Sequence, residues 1–160
     1  MVVADSGPLI AFARLSALGV LHEMFGKVLV PRVVADECTF QLHRPGAQAI
    51  AAAIEATVLT RMEVGGVARF AETHLLDASE AAALLLAQAQ ACPALVDERR
   101  GRRVAARLGV PVVGTVGVLL AARQAGKMPA LNPLLDSLDA FGYRLPKALA
   151  GEALLRAGEA

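Results

Sequence analysis

The sequence VVADSGPLIAF, residues 2–12, contains the signal that decides the fold. Its first residues are apolar and mostly β-branched, as in a buried strand, and the run ends on the carboxylate of Asp5. Pro8 follows at a position where the first turn of a helix tolerates proline. In open parallel sheets ligands bind beyond the carboxyl ends of strands, which is where this pattern places Asp5. The other interpretation is that Asp5 or Ser6 caps the helix that follows.

Length and composition limit the class of protein. The chain has 160 residues, of which 56% are hydrophobic and 4% aromatic, and this suits one domain with a substantial core. Its longest apolar run, residues 110–122, is shorter than the roughly 18 to 20 residues of a membrane span. The N-terminus does not resemble a secretory signal, so we expect a cytoplasmic protein without membrane contact. Cys38 and Cys92 have no paired spacing and are expected to be small buried side chains.

Short apolar strands alternate with helices along the rest of the chain. The predicted strands after the first cover residues 27–30, 58–60, 94–96 and 111–113. Asn132 followed by Pro133 predicts a capped helix over residues 134–141, and a last amphipathic helix, about 146–158, could pack on a partner. The alternation favours a single α/β domain over residues 1–160, with a central parallel sheet flanked by helices.

Four carboxylates are expected at one edge of this sheet. Asp97 ends the 94–96 strand as Asp5 ends the first, and Glu37 and Glu80 lie on helices that can reach the same crevice. Clustered carboxylates repel one another unless cations neutralise them, and an all-oxygen site prefers Mg²⁺ or Mn²⁺. Such ions polarise phosphoryl oxygens and activate water, so hydrolysis of a phosphodiester is the predicted reaction.

Two of the acidic positions have structural alternatives. Asp77 and Glu80 have the spacing of a capping box, in which the side chain of Glu80 would be occupied at the helix start. Asp36, beside Glu37, points about 100° away on a helix and is expected to be solvated.

A basic helix follows the Asp97 strand. It carries five arginines within nine residues: Arg99, Arg100, Arg102, Arg103 and Arg107. All except Arg102 are predicted to hold a nucleic-acid backbone, which contributes affinity without sequence information. The alternatives are a solvated helix face and, for Arg102, a pair with a neighbouring carboxylate. With one Tyr and no Trp the chain offers little for base stacking, and none of its three histidines has the spacing of a metal ligand.

Five motifs, in this order, resemble those of a PIN domain. They are VVADSGPLIA at 2–11, VPRVVADE at 30–37, LDASEA at 76–81, LVDERRGR at 95–102 and VGTVGVLL at 113–120. The similarity is greatest to the prokaryotic branch known as DUF3368, which is related to the toxins of VapBC-type toxin-antitoxin pairs. It spans nearly the whole chain.

The resemblance implies a three-layer sandwich and a metal-dependent ribonuclease. Its catalytic and metal-binding acids would be Asp5, Glu37, Glu80 and Asp97, with Mg²⁺ or Mn²⁺ as cofactor. It also implies a toxin that acts on RNA, forms a homodimer and binds a small antitoxin protein encoded by an adjacent gene.

The chain departs from the PIN pattern at two positions. The third acid is Glu80, where PIN toxins usually have Asp. The usual Ser/Thr-x-Asp strand end is replaced by Asp97-Glu98, so Glu98 is the less favoured alternative to Asp97 as fourth ligand. Ser6 and Thr115 would support the acids by hydrogen bonding.

Other functions remain as alternatives. The principal one is a catalytically silent PIN fold that binds nucleic acid or serves in assembly. A phosphatase of the haloacid-dehalogenase type needs a second Asp two residues after Asp5, where Gly7 stands. A dinucleotide-binding enzyme is disfavoured because no G-x-G-x-x-G motif follows the first strand.

Overall fold

The computed structural model describes residues 1–160 as a parallel sheet with helices on both faces. The strands are β1 (Val2–Ala4), β2 (Val28–Pro31), β3 (Thr60–Met62), β4 (Ala94–Leu95) and β5 (Val112–Val113). They lie in the order β3-β2-β1-β4-β5, and every neighbouring pair is parallel. The predicted α/β sandwich is confirmed.

Ten helices connect and cover the strands. They are α1 (Ser6–Arg14), α2 (Leu18–Phe25), α3 (Arg32–Thr39), α4 (Ala47–Glu55), α5 (Val67–His74), α6 (Ala78–Gln90), α7 (Arg99–Leu108), α8 (Thr115–Gln124), α9 (Asn132–Ala140) and α10 (Lys147–Arg156). No single helix is long and apolar enough to cross a membrane; α1 and α2 reach that length only as a pair bent by 117°.

Successive residues of the central strand β1 face opposite sides of the sheet. Val2 and Ala4 pack in a cluster of 26 buried residues with α1 to α4 and α8 to α10, whereas Val3 packs in a cluster of 14 with α5 to α7. All three residues are fully buried. Continuous apolar strands are what a parallel sheet covered on both faces requires.

The strand register brings the polar strand ends to one edge. Ala4 pairs with Leu95, and the amide of Asp5 donates to the carbonyl oxygen of Leu95 at 3.1 Å. Asp5 therefore leaves β1 level with the end of β4, two residues before Asp97. Thr115 follows the adjacent β5 and opens α8 at the same edge.

The third strand begins two residues later than the apolar run indicates. The amides of Val58 and Leu59 donate to the carbonyl oxygen of Ala53, at 2.9 and 3.1 Å, so both residues still belong to the turn that closes α4. Pairing with β2 starts at Thr60. The predicted range of 58–60 is wrong for this reason, although the strand is at the sheet edge as expected.

The predicted Asn132 cap is wrong as well. Helix α9 begins at Asn132, and the amides of Leu131 and Asn132 donate to the Glu159 carboxylate at 2.7 and 2.9 Å. A residue near the C-terminus thus supplies the cap. Helix α10 itself packs on α8 and buries Ala153, while the predicted contact with a partner stays a prediction.

Replacing Phe12 with Ala tests the larger cluster. The ring is fully buried, so Phe12→Ala should lower the free energy of unfolding by about 3 to 5 kcal/mol, measured by urea denaturation. Phe40→Ala is the matched control, because that ring is 82% exposed and its loss should change stability by less than about 0.5 kcal/mol. Equal effects of the two substitutions would contradict this core.

Candidate functional site

Asp5 is the most deeply buried acid of the chain. Only 4% of it is exposed, and its Oδ1 accepts a hydrogen bond from the Ser6 amide at 2.8 Å. Burial raises the pKa of Asp5 from 3.8 to about 6. The Ser6 hydrogen bond opposes this rise in pKa, and negative charges nearby add to it, those of Asp77, Glu37 and Glu98. The support from Ser6 comes through its backbone and not through its hydroxyl.

Glu80 is not occupied by the capping box. Asp77 Oδ1 accepts from the Glu80 amide at 2.8 Å, so the first half of that motif forms and opens α6. The Glu80 side chain does not complete it, because its Oε2 is buried without any hydrogen-bond partner. Burial first, and then the negative charge and close approach of the Asp77 carboxylate, raise the pKa of Glu80 to about 7. The charges of Asp5 and Glu98 act in the same direction.

Glu37 reaches the same edge from α3. Glu37 is exposed, but its Oε2 accepts a hydrogen bond from the hydroxyl of Ser79, a buried residue of α6. This contact ties α3 to the start of α6. The neighbouring Asp36 points into solvent, as predicted, and lies 3.7 Å from Arg32 and 4.0 Å from Arg61.

Asp97 is held by Thr115 at the end of β4. The amide of Thr115 donates to Asp97 Oδ1 at 2.9 Å, and its hydroxyl donates to Oδ2 at 2.5 Å. Since that hydroxyl has one proton, the Tyr143 phenol 3.2 Å away donates to Thr115. Burial raises the pKa of Asp97, while the two Thr115 bonds and the charge of Arg102 lower it.

Asp97 and Glu98 differ in what surrounds them. The negative charge of Glu98 raises the pKa of both Asp5 and Glu80, whereas the Asp97 carboxylate is occupied by Thr115. Arg102 donates to the carbonyl oxygen of Val96 at 2.8 Å and forms no ion pair within 4 Å. Its charge nevertheless acts on the neighbouring Asp97, so the predicted pairing is present only as a longer-range attraction.

As placed, no three side chains of His, Cys, Asp or Glu converge closely enough to hold a metal ion together. The chemistry of the group nevertheless fits a hard cation. Its donors are carboxylate oxygens, Glu80 Oε2 is buried without a partner, and burial together with mutual repulsion raises the pKa of Asp5 and Glu80. A cation would bind the unpartnered oxygen of Glu80 and would neutralise the repulsion among the acids, provided that the exposed side chains of Glu37 and Glu98 turn inward.

The basic residues of α7 divide into two groups. Arg100, Arg103 and Arg107 line one open cavity on the outer side of the helix, whereas Arg99 is exposed outside it. Whether they bind nucleic acid stays a prediction. Cys38 and Cys92 are buried and free, as expected, and burial raises the pKa of the Cys38 thiol to about 12.

The comparison with protein families decides the identity of this fold. Residues 1–159 match the family model of DUF3368, described as a PIN domain. The chain is a PIN domain. The predicted family is thereby confirmed, and no curated protein matches the chain. PIN domains are nuclease-type folds that in general use divalent metals and bind nucleic acid.

Three residues of this PIN domain's site were missed by sequence reasoning. Asp77 was interpreted only as a cap, yet its charge acts on Asp5 and Glu80. Ser79 lies inside the LDASEA motif, where a hydroxyl in an alanine-rich helix was the available signal. Tyr143 has no local signal beyond being the only tyrosine.

The raised pKa of Asp5 predicts a pH-dependent penalty in the metal-free protein. Its folded-state pKa of about 6 lies above the ordinary 3.8, so the folded protein binds this proton more tightly and loses stability as the pH rises from 4 to 7. Asp5→Asn should remove that loss, which is on the order of 3 kcal/mol at most. Urea unfolding with a chelator, at several pH values, measures the difference.

The control for this measurement is Asp36→Asn, which removes an exposed carboxylate on α3. It should change stability by less than about 1 kcal/mol at pH 7. A difference between wild type and Asp5→Asn that does not grow between pH 4 and 7 would contradict the buried position of Asp5.

Gly101 on α7 fits the helix against Glu80. A Cβ there would lie 3.0 Å from Val96 Cγ1 and 3.3 Å from Glu80 Oε2. Gly101→Ala should therefore destabilise the protein or leave it unchanged, although Ala is the better helix former. Gly117→Ala on α8, where nothing lies within 4 Å, should stabilise by up to about 1 kcal/mol. Thermal denaturation of both variants compares them, and equal gains would show that Glu80 does not pack on Gly101.

Proposed function

We propose that this PIN domain is an endoribonuclease that depends on Mg²⁺ or Mn²⁺. The observation that carries the proposal is the set of acids at the sheet edge whose charges act on one another, with Glu80 Oε2 buried and unpartnered among them. Desolvated like charges with raised pKa values are typical of functional sites. Nuclease activity is general in PIN domains; RNA as the substrate and the choice of ion are our inference.

The acids would divide the work as follows. Asp5, Glu37 and Glu80 would hold the cation, which when bound polarises a phosphoryl oxygen and activates water. Asp5 is fixed by the Ser6 amide, and Glu37 by the Ser79 hydroxyl. Asp97 stays in the proposed set, with Thr115 fixing the orientation of its carboxylate.

Glu98 gains support as the fourth ligand. It is the exposed cap residue of α7, its side chain makes no capping hydrogen bond, and its charge acts on Asp5 and Glu80. We therefore propose it beside Asp97.

The same proposal includes a toxin role in the cytoplasm, a homodimer and a small antitoxin partner. It rests on the relation of this PIN branch to VapC-type toxins. Phe40 and Leu42, which are 82% and 53% exposed in the segment between α3 and α4, offer apolar surface for a partner protein close to Glu37.

A catalytically silent binding or assembly module is the second candidate. One observation favours it: as placed, the acids do not converge on a point that could hold an ion. The two candidates make opposite predictions about Glu80, since a binding module does not need its negative charge.

Glu80→Gln separates the two candidates. The amide has the shape of the acid, and the Glu80 backbone N–H still donates to Asp77, so the start of α6 is preserved. Under the ribonuclease proposal the lost charge should lower cleavage of single-stranded RNA by roughly 100-fold or more. Gel-resolved cleavage of an end-labelled RNA with Mn²⁺ measures it.

Glu72→Gln is the matched control, because Glu72 is exposed on α5 and its side chain makes no hydrogen bond or ion pair. It should cut RNA as the wild type does. A second readout is the rise in Tm on adding Mn²⁺, which should be smaller for Glu80→Gln than for Glu72→Gln. If Glu80→Gln cuts RNA as fast as the wild type, or if Mn²⁺ does not change the Tm of the wild type, the ribonuclease proposal is contradicted and the binding module is favoured.

A further inference from the structure

An open cavity lies on the outer side of α7, beside the acidic site but not part of it. Its volume is about 760 Å³, and it is lined by Arg100, Arg103, Arg107, His74 and Leu75 with two smaller residues. The arginines are three and four residues apart, so they share one face of the helix. No carboxylate lines the cavity, so its charge suits an anion.

Leu75 is the unusual residue of this cavity. It ends α5 in the left-handed backbone region, at φ +57°, and its side chain is 75% exposed. A left-handed leucine costs about 1 to 2 kcal/mol, and an exposed position of this kind favours glycine. Arg100 Nη1 donates to the Leu75 carbonyl oxygen at 3.0 Å and fixes the turn. The fold thus presents a large apolar side chain to solvent beside three guanidinium groups.

The cavity and the acidic site are joined by α7 and by the short connection between α5 and α6. Asp77 follows Leu75 by two residues and caps α6, and Glu98 caps α7 just before Arg100. Gly101 packs against Glu80 while Arg100, one residue earlier, contacts Leu75. A chain that crosses the acids can therefore continue along α7 into the cavity.

We propose that this cavity binds one nucleotide of a single-stranded RNA, next to the phosphodiester at the acidic site. The three arginines contact its phosphate, and the base lies on the Leu75 side chain. The His74 ring, which packs on Phe70 with the ring centroids 4.4 Å apart, forms the wall beside it. This inference rests on the proposed ribonuclease function. The chain has one tyrosine and no tryptophan to stack on a base, and Leu75 would provide an apolar contact in their place.

Leu75→Gly separates binding from folding. Glycine adopts φ +57° without strain, so the variant should have a higher Tm than the wild type. It should nevertheless bind RNA about threefold to tenfold more weakly, because the apolar side chain that the base would cover is gone. The measurement is fluorescence anisotropy of a labelled 12-nucleotide oligoadenylate in a chelator, where no metal-dependent cleavage interferes.

Ala91→Gly is the matched control. Ala91 ends α6 at φ +51°, is exposed and lies outside the cavity, so its replacement should raise the Tm and leave RNA affinity unchanged. If Leu75→Gly binds RNA as tightly as Ala91→Gly, the inference is overturned.

Arg103→Gln tests the phosphate contact. It should weaken RNA binding and lower the slope of log affinity against log salt by about 0.7, the value for one phosphate of a single strand. Arg156→Gln on α10, an exposed arginine far along the chain, should do neither. Inorganic polyphosphate as a second probe should respond to Arg103→Gln and not to Leu75→Gly, since it has no base.

The outcomes distinguish this inference from the ribonuclease proposal. If the wild type cuts RNA while Leu75→Gly and Arg103→Gln bind RNA normally, the cavity does not bind a nucleotide, although the ribonuclease proposal stands. The cavity would then suit another anionic ligand, such as an acidic peptide. If the wild type binds RNA through the cavity but never cuts it, the inference is supported and the ribonuclease proposal is contradicted.

Discussion

The buried carboxylate of Asp5 is the constraint on which the rest of the site depends. It follows the central strand, which pairs with β2 on one side and β4 on the other, and its own amide extends the β4 pairing by donating to the carbonyl oxygen of Leu95. Burial and neighbouring acids make its negative charge unfavourable in the metal-free protein. The fold therefore holds at its centre a carboxyl group whose charged form is less favourable than in water, and a proton or a cation would relieve this. Because a bound cation removes this unfavourable interaction, the free energy released adds to the affinity for the ion.

Helix α7 places the two signs of charge side by side. Its start carries Glu98 and, through the missing side chain of Gly101, approaches Glu80, while its outer face carries Arg100, Arg103 and Arg107. The chain as a whole has a formal net charge of +1, which conceals this separation completely. Local arrangement, and not total charge, decides what such a surface attracts.

Sequence reasoning found the parts of the molecule that local patterns encode. Apolar runs bounded by proline and glycine located the strands and most helices, and the carboxylate after β1 located the edge of the sheet where the acids gather. Contacts between distant residues were not predictable: the Glu159 carboxylate caps α9 from 28 residues away, and Tyr143 reaches Thr115 over the same separation. The choice between Asp97 and Glu98 stays a prediction for a related reason, because it depends on where side chains point after the strand has ended.

The hydrogen bond from Tyr143 to Thr115 also has a spectroscopic consequence. The chain contains no tryptophan and one tyrosine, so its near-ultraviolet emission comes almost entirely from this phenol. The fluorophore is one hydrogen bond from Thr115 and two from the carboxylate of Asp97. The tyrosine emission therefore offers a label-free way to detect the binding of an ion, a nucleotide or a partner protein at this edge of the sheet.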